Sequence, residues 1–327
     1  MLSPIYFLLP ILSFVVTFLT IILLIPFLIK RKMVVVDFHK RDHRMIPKPA
    51  GPAIFLGLAS PMIILYFLTL DIKYFAIFLT TLIVFVIGLI DDLKVLGGSL
   101  KMVLTVFGSL PLLVFRVYTP SIIFPFFGPT RLTIVYPIIV LLTIPVVSNA
   151  INMIDVYNGT LSGACMLLSI SQFIIIAFMC GNLEQAIFPL TLFMTSFAFF
   201  IFNRYPSKIF AGDSGSLVLG SFFGASTIIT RTEIPSLVAF VPAILNGFYI
   251  LASIKGFVEH RRIKERPVML NEEGLLEVSK SKAAPVTLAR LIVADGPMPE
   301  WVASKRIILL FLYSALLSII TAMLMRW

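Results

Sequence analysis

The stretch that decides the fold runs from Tyr74 to Lys94 and reads YFAIFLTTLIVFVIGLIDDLK. Its first 17 residues carry no charge, close to the ~20 apolar residues that a helix needs to cross ~30 Å of hydrocarbon. Apolar and polar residues do not alternate along it, as they would in a half-buried strand. The stretch therefore predicts a membrane-spanning helix that ends in two adjacent acids, Asp91 and Asp92.

Similar apolar runs recur along the whole chain of 327 residues, of which 59% are hydrophobic and 13% charged. We count ten candidate spans, at residues 5–29, 51–70, 74–90, 101–118, 133–148, 161–180, 186–202, 215–230, 236–254 and 307–325. Only helices and closed barrels satisfy their backbone hydrogen bonds in lipid. Since strand-like alternation is missing, the sequence predicts an all-α polytopic membrane protein, with ten transmembrane helices in a single membrane domain over residues 1–327.

Charged residues concentrate in five of the connecting loops, at residues 30–50, 91–101, 149–160, 203–214 and 255–306. These loops hold 21 of the 26 Lys and Arg residues and 13 of the 16 Asp and Glu residues. Because cytoplasmic loops carry an excess of Lys and Arg, we expect these loops to be cytoplasmic and both termini to lie outside. Their positive charge also favours contact with anionic lipid headgroups. The loop 255–306 is the longest of the five.

Two adjacent carboxylates, Asp91 and Asp92, open the second of these loops, and Lys101 follows at the start of the next span. Adjacent carboxylates repel each other, so one pKa should rise or a cation should lie nearby. Such a pair suits a general base or a metal-bound phosphate site, although acids also occur at ordinary solvated helix ends. Lys101 could neutralise a phosphate or simply extend to the membrane interface.

Amide and carboxylate side chains recur in the third loop, which reads NAINMIDVYNG from Asn149 to Gly159. Asn149, Asn152 and Asp155 share one face of a helix, and Asn158 follows. Oxygen atoms on one face suit a hard cation or a ligand rich in hydrogen-bonding groups. A helix cap would explain one of these residues but not all four.

The fourth loop reads FNRYPSKIFAGDSGS from Phe202 to Ser216. Asp213 stands at the start of a span, where exposed backbone N–H groups attract phosphate and a carboxylate could hold Mg²⁺ against it. A simple N-cap accounts for one residue of the Gly-Asp-Ser-Gly-Ser unit, not for the whole unit. Phe210 could stack on a nucleobase, or merely face lipid or the core.

The last loop carries the basic run HRRIKERP from His260 to Pro267, which includes Lys264 and Arg266. Such a run can bind lipid headgroups or a pyrophosphate. The sequence lacks glycine-rich nucleotide-binding motifs and zinc-ligand spacings. Nucleic acid is disfavoured as a partner, because the basic residues line a membrane surface without a soluble domain to carry them.

The order of these motifs resembles that of the polyprenyl-phosphate N-acetylhexosamine-1-phosphate transferases. Within them it is most similar to the dolichyl-phosphate GlcNAc-1-phosphotransferases of eukaryotes and archaea. The resemblance implies transfer of GlcNAc 1-phosphate from UDP-GlcNAc to dolichyl phosphate, with release of UMP, as the first step of lipid-linked oligosaccharide assembly for N-glycosylation. It also implies Mg²⁺, or Mn²⁺ in its place, and a cytoplasmic site in the plasma membrane of an archaeon or the endoplasmic reticulum of a eukaryote. A homodimer is compatible with it.

The resemblance implies catalytic and metal-binding roles for five residues of this chain. Asp213 and Asn152 match the positions that contact Mg²⁺. Asp91 and Asp92 match the paired acids that activate the lipid phosphate. Lys101 matches a lysine that contacts the pyrophosphate.

Five further residues are implied to bind the substrates. Asn158 matches an asparagine that contacts uracil, and Phe210 matches a residue that packs on the base. Arg266 is similar to the arginine that recognises the sugar-phosphate region, and Lys264 lies near a second basic position. Asp155 is typical of the bacterial relatives and is a further candidate.

The sequence departs from the family pattern at several positions. The eukaryotic branch has Ile-Pro-Glu in the first loop, where this chain has Ile46-Pro47-Lys48. The glycine expected after Asp155 is Val156, and the multi-histidine motif of the bacterial cell-wall enzymes is missing. Two alternatives stay open: the same transfer with another UDP-sugar or polyprenyl phosphate, and a transporter of a lipid-linked substrate. The transporter predicts ionisable residues at mid-membrane depth, and the spans hold almost none.

Overall fold

The computed structural model describes residues 5–254, 265–281 and 283–327. In these residues the chain forms thirteen α-helices and three short two-stranded hairpins. The helices are α1 Ile5–Lys30, α2 Gly51–Thr69, α3 Ile72–Leu93, α4 Gly98–Thr105, α5 Leu110–Val114, α6 Tyr136–Met153, α7 Thr160–Ile174, α8 Ile187–Asn203, α9 Gly212–Thr230, α10 Glu233–Ala239, α11 Val241–Ile254, α12 Leu288–Val293 and α13 Glu300–Met323.

The three hairpins are antiparallel and lie outside the long helices. They pair β1 Val34–Val36 with β2 Met45–Pro47, β3 Ser121–Phe124 with β4 Gly128–Arg131, and β5 Val268–Leu270 with β6 Leu276–Val278. The prediction of an all-α chain did not include these strands. They are three or four residues long, so the protein remains a helical one.

All ten predicted spans coincide with helical structure, but fewer helices are long and apolar enough to cross a bilayer. Within the described residues, six meet that requirement: α1, α2, α3, α6, α7 with its π-helical continuation to Met179, and α13. The pair α10 and α11 makes a seventh if its 64° bend is counted within one span. A helical integral membrane protein is thus confirmed, with six or seven spans by length and composition in place of ten.

The other predicted spans are shorter, broken or less apolar. The segment predicted as 101–118 is interrupted by a 3-10 turn over Val106–Ser109, and α8 has 17 residues. Pro111 and Pro242 stand in the first turns of α5 and α11, where a missing N–H favours a fresh helix start over continuation. Helix α9 is 19 residues long, but its glycines and serines make it less apolar than the lipid-facing helices.

Helix α9 lies in the centre of the bundle, because its small residues let other helices approach closely. It is buried from Ser214 to Thr230 and packs against α3 and α6. A β-carbon on Gly88 of α3 would lie 2.5 Å from the Cα atom of Ser214, and one on Gly220 would lie 2.7 Å from the Cα atom of Ser148 in α6. Small residues are the usual means of such close packing in membranes. The contact at Gly88 brings the end of α3 against the start of α9.

Candidate active site

Four aspartates and two lysines from separate loops meet where α3 ends and α9 begins. We name this group the carboxylate cluster; its members are Asp91, Asp92, Asp155, Asp213, Lys48 and Lys101. They come from the segment after β2, the end of α3, helix α4, the turn after α6, and the first turn of α9. The structure therefore brings the first four predicted loops together by direct contact or close electrostatic interaction.

The carboxylate of Asp92 caps the N-terminus of α9. Its Oδ1 accepts from the backbone N–H of Asp213 at 2.9 Å, and its Oδ2 accepts from the backbone N–H and the hydroxyl of Ser214 at 2.8 and 2.6 Å. A carboxylate at a helix start satisfies free N–H groups and interacts favourably with the helix dipole. Asp92 thus fixes the start of α9, and with it the position of Asp213.

Asp91 and Lys101 form a buried ion pair next to Asp213. The Oδ2 of Asp91 lies 2.8 Å from the Nζ of Lys101, and its Oδ1 accepts from the backbone N–H of Leu96 at 2.7 Å. Lys101 also donates to Oδ1 of Asp213 at 2.8 Å. Lys101 therefore bridges the acid at the end of α3 and the acid at the start of α9.

Asn152 reaches the same carboxylate from α6. Its Nδ2 donates to Oδ1 of Asp213 at 3.2 Å, and its Oδ1 accepts from the hydroxyl of Ser216 at 2.6 Å. A half-turn of the amide would direct its oxygen toward Asp213, so that both residues offer oxygen atoms to one cation. The structure thus brings Asp91, Asp92, Lys101, Asn152 and Asp213 together, while their roles stay predictions.

Asp155 is the half-buried member of the cluster whose carboxylate has no hydrogen bond or ion pair within the described parts of the chain. Its pKa is raised to about 7, chiefly because burial disfavours the charged form. The Lys48 ammonium opposes this rise in pKa, and the carboxylates of Asp213 and Asp92 add to it. A carboxyl group in this setting has free lone pairs and lacks compensating positive charge.

The donor set of the cluster fits a hard divalent cation. The four carboxylates face only two ammonium groups in the described part of the protein. A bound cation would therefore offset the excess negative charge. Carboxylate and amide oxygens are the ligands that Mg²⁺ prefers, and Mn²⁺ accepts the same set. Asp213 and Asn152 would hold the ion, and the uncompensated Asp155 indicates where charge is lacking.

A second buried charge cluster lies around Lys40, and we name it the Lys40 cluster: Asp37, Lys40 and Glu300. Lys40 pairs with Oδ2 of Asp37 and, at 3.0 Å, with Oε2 of Glu300 at the start of α13. Asp37, His39 and Glu300 have the spacing of a metal site, but the Lys40 ammonium already lies between the two carboxylates. The cluster ties the β1–β2 hairpin to the last helix.

Asn158 belongs to this second cluster rather than to the first. Its backbone N–H donates to Oε1 of Glu300 at 2.8 Å, and its Nδ2 donates to Oδ2 of Asp37 at 3.3 Å. Ser304 donates to its carbonyl oxygen at 2.9 Å. The amide of Asn158 is thereby held with its nitrogen toward Asp37, which leaves its side-chain oxygen as an acceptor for another group.

The remaining predicted residues lie around these clusters. Phe210 is half-buried and its backbone N–H donates to the carbonyl of Pro47 at 3.0 Å. The guanidinium of Arg266 lies 3.6 Å from the ring centroid of Phe38. Arg266 and Phe38 line a cavity of about 410 Å³ between the β1–β2 connection and β5. Lys264 lies outside the residues that the structure describes.

Sequence reasoning did not identify Lys48 or Glu300 as site residues. Lys48 contacts Asp92 at 3.3 Å and Asp213 at 3.5 Å. In the sequence it stood out only because the eukaryotic branch has a glutamate at this position. Glu300 lies 142 residues from Asn158 along the chain. An acid directly after Pro299, at a helix start, was the available signal, but a capping role explains it equally well.

Comparison with the sequences of known proteins identifies the family of the chain. The sequence profile of Glycosyl transferase family 4 matches residues 74–231, which contain Asp91, Lys101, Asn152 and Asp213. A protein of Saccharolobus solfataricus, provisionally named UDP-N-acetylglucosamine–dolichyl-phosphate N-acetylglucosaminephosphotransferase, is 31% identical over 255 residues, which cover 74% of this chain and 79% of that protein.

Two further relatives carry similar names. A Sulfolobus acidocaldarius protein with the same provisional name is 30% identical over 66% of this chain and 68% of its own length. A Bacillus subtilis protein, provisionally named undecaprenyl-phosphate N-acetylglucosaminyl 1-phosphate transferase, is 27% identical over 76% of each chain. The chain therefore belongs to glycosyl transferase family 4, among the polyprenyl-phosphate N-acetylhexosamine-1-phosphate transferases, and is an enzyme that transfers a sugar phosphate.

Proposed function

We propose that this enzyme transfers GlcNAc 1-phosphate from UDP-GlcNAc to dolichyl phosphate, giving GlcNAc-pyrophosphoryl-dolichol and UMP. The observation that carries the proposal is the carboxylate cluster, in which Asp213 stands at a helix N-terminus between two lysines and an amide. Relatives named for this transfer, or for its undecaprenyl counterpart, support the same choice of substrates. The reaction would begin lipid-linked oligosaccharide assembly for N-glycosylation.

The position of the cluster supports a reaction between a lipid and a water-soluble donor. It lies at the ends of α3 and α9, in a protein whose long helices are apolar enough to span a bilayer. A polyprenyl phosphate can reach helix ends from the lipid, and a nucleotide-sugar can reach them from the water. We infer that this face is cytoplasmic, because the five charged loops hold most of the Lys and Arg residues.

The bond changes are those of a direct displacement. An oxygen of the lipid phosphate attacks the β-phosphorus of UDP-GlcNAc, and the bond from that phosphorus to the bridging oxygen breaks. The bridging oxygen leaves with UMP. A phosphate monoester has a second pKa near 6, so at neutral pH its attacking oxygen is mostly deprotonated already. The paired acids Asp91 and Asp92 then serve mainly to orient the charged groups around it.

The residues of the cluster stabilise charge on the transferring phosphoryl group, where positioning and electrostatics supply most of the rate gain. Lys101, held between Asp91 and Asp213, would donate to a phosphate oxygen. Asp92 holds the N–H groups of α9 in place. Bound Mg²⁺, on Asp213 and Asn152, would supply Lewis-acid charge against the pyrophosphate.

The residues outside the cluster would hold the rest of the nucleotide-sugar. The side-chain oxygen of Asn158 is oriented as an acceptor, which suits a ring N–H of uracil. Phe210 lies beside the Pro47 segment and could pack on the base. Arg266 lines the cavity between the hairpins, where a sugar or phosphate group can enter.

The test is transfer of radiolabel from UDP-GlcNAc to dolichyl phosphate by purified protein with Mg²⁺. We expect labelled lipid and UMP from the wild type. We also expect none from Asp213→Ala, and normal amounts from the control Glu273→Gln, which alters an exposed acid on the β5–β6 turn.

The outcomes separate the alternatives. Transfer from a different UDP-sugar, or to a different polyprenyl phosphate, would keep the reaction and change the substrate. A trapped phosphoryl-enzyme would replace the direct displacement with a two-step route. Folded protein that transfers sugar phosphate from none of the UDP-sugars, and that binds no nucleotide in the presence of Mg²⁺, would contradict the proposal and favour a transporter.

A further inference from the structure

Lys48 enters the carboxylate cluster from the segment that follows β2. Its Nζ lies 3.3 Å from Oδ1 of Asp92 and 3.5 Å from Oδ2 of Asp213. Its charge also acts on Asp155. Lys48 is therefore the second cation of the site. It pairs with Oδ2 of Asp213, whereas Lys101 pairs with Oδ1.

The backbone around Lys48 is fixed to the same loop that carries Asp213. The carbonyl of Pro47 accepts from the N–H of Phe210 at 3.0 Å. The N–H of Ala50 donates to the carbonyls of Phe210 and Ala211 at 2.9 and 3.1 Å. Because both flanks are bound in this way, the side chain of Lys48 is directed at the site by the fold and is not a freely placed surface lysine.

The two lysines of the cluster are held with different strength. Lys101 makes two contacts of 2.8 Å, and 7% of its side chain is exposed. Both contacts of Lys48 are longer, and 22% of its side chain is exposed. Both oxygens of Asp92 already accept from donors at the start of α9. Lys48 is thus the cation that can leave the carboxylates at lower cost.

A divalent cation on Asp213 would compete with Lys48 for the same carboxylate, since like charges at contact distance repel. Lys101 would keep Asp91 as a partner. Lys48 would lose its attraction to Asp213 and, with a flexible four-carbon stem, could turn to a nearby anion. In a site for phosphoryl transfer, the available anion is a phosphate oxygen.

We propose that Lys48 occupies the carboxylate cluster when the protein is free of metal, and that it binds a phosphate oxygen of the substrate when a divalent cation binds Asp213. This rests on the proposed function for the identity of the phosphate, either that of the lipid or that of the nucleotide-sugar. Lys48 would then lower the affinity of the free protein for the metal and raise its affinity for a substrate, so that the metal and the substrate bind best together.

The first measurement is the affinity of substrate-free, full-length protein for Mn²⁺, by electron paramagnetic resonance. Removing the competing ammonium in Lys48→Met should tighten Mn²⁺ binding by roughly tenfold. Lys48→Arg should bind Mn²⁺ like the wild type. Lys305→Met, which removes an exposed lysine on α13, is the matched control and should do the same. Equal or weaker Mn²⁺ binding by Lys48→Met would overturn the proposal.

The second measurement is the KM for each substrate at saturating Mg²⁺. Lys48→Met should raise one KM by about tenfold or more, as expected for loss of a charge-assisted hydrogen bond. A rise for dolichyl phosphate alone identifies the lipid phosphate, and a rise for UDP-GlcNAc alone identifies the nucleotide. Unchanged KM values for both would overturn the proposal. Lys48→Gln repeats both measurements with a polar side chain if Lys48→Met does not fold.

The two proposals fail in different ways. The Mn²⁺ titration needs no reaction, so a protein that shows the expected difference but transfers no GlcNAc would refute the proposed substrates and support the competition at Asp213. A protein that transfers GlcNAc, yet shows no difference between wild type and Lys48→Met in Mn²⁺ affinity, would refute the role of Lys48 alone.

Discussion

The two buried charge clusters of this protein use the same side-chain types and differ in how fully their carboxylates are satisfied. In the Lys40 cluster, all four carboxylate oxygens of Asp37 and Glu300 accept hydrogen bonds from Lys40, Asn158 or the backbone of His39. In the carboxylate cluster, Asp155 has no such partner within the described residues.

This difference indicates different tasks. A buried charge with all its partners holds the chain in place, and removing one partner leaves an uncompensated charge. A half-buried carboxyl with no protein partner and a raised pKa has lone pairs free for a ligand, and a cation would favour its charged form. We therefore expect substitutions in the carboxylate cluster to change activity more than stability, and substitutions in the Lys40 cluster to change stability first.

The largest effect should come from Asp213→Asn, which keeps the side-chain shape and removes the charge. We expect transfer activity to fall by about a thousandfold, since one group that stabilises transition-state charge is commonly worth 10²–10³ in rate. The unfolding temperature in detergent should stay close to that of the wild type. A variant that keeps at least a tenth of the activity would show that Asp213 does not hold the essential cation.

The next largest effect should come from Glu300→Ala in the Lys40 cluster. Lys40 would keep Asp37 as a partner, but the buried N–H of Asn158 would lose its acceptor, and an unsatisfied buried donor costs about 1–3 kcal/mol. The unfolding temperature should fall by several degrees, measured by thermal denaturation of purified protein. Glu300→Gln should recover part of the loss, because its side-chain oxygen can still accept from that N–H while Lys40 stays paired with Asp37.

A stable Glu300→Ala protein would contradict the structural role of the Lys40 cluster. If that protein also showed a raised KM for UDP-GlcNAc, the Lys40 cluster would have a role in substrate binding. The cluster would then act mainly by orienting Asn158 toward the nucleotide, with stability supplied elsewhere.

The helices and the composition of the site were predictable from the sequence because their causes are local. Apolar run length identified the helical segments, and polar residues at helix ends indicated Asp91, Asn152 and Asp213. Contacts between distant segments were not predictable. Asp92 caps a helix that begins 120 residues further along the chain, and nothing in its neighbourhood indicates that partner.

Lys48 and the broken helices were missed for similar reasons. A lysine in place of an expected glutamate indicates the loss of a carboxylate, whereas the hydrogen bonds of its flanks to Phe210 and Ala211 direct the lysine into the site. Hydropathy also counted 236–254 as one span, although Pro242 starts a new helix and the pair bends by 64°. Composition gives the length of an apolar segment but not its direction.

A smaller effect should appear in the pH dependence of stability through Asp155, which has a pKa of about 7 in the folded protein and 3.8 as a free side chain. Between these values the folded protein holds a proton that the unfolded chain has lost, so its stability should fall as pH rises toward 7. Asp155→Asn should lack this part of the decline. The measurement is the unfolding temperature from pH 4.5 to 7.5 in a chelator.

Added Mg²⁺ should counter the decline in the wild type, because a bound cation favours the charged carboxylate. Parallel curves for wild type and Asp155→Asn in the chelator would show that Asp155 finds compensation in the folded protein. That result would contradict the contrast between the two clusters, because both hold two acids for each lysine in the described residues.

The smallest effect should come from Asp295→Asn, which breaks an ion pair on the surface. Asp295 lies 3.3 Å from Arg306, and the two side chains are 83% and 43% exposed. Exposed pairs contribute little because water screens both charges, so we expect the unfolding temperature to change by no more than about 1 °C. The pair joins the end of α12 to α13, and Arg306 is six residues after Glu300 in that helix. Comparable losses of stability in Asp295→Asn and Glu300→Ala would mean that any change near the start of α13 loosens it, and that the buried charges of the Lys40 cluster have no special weight.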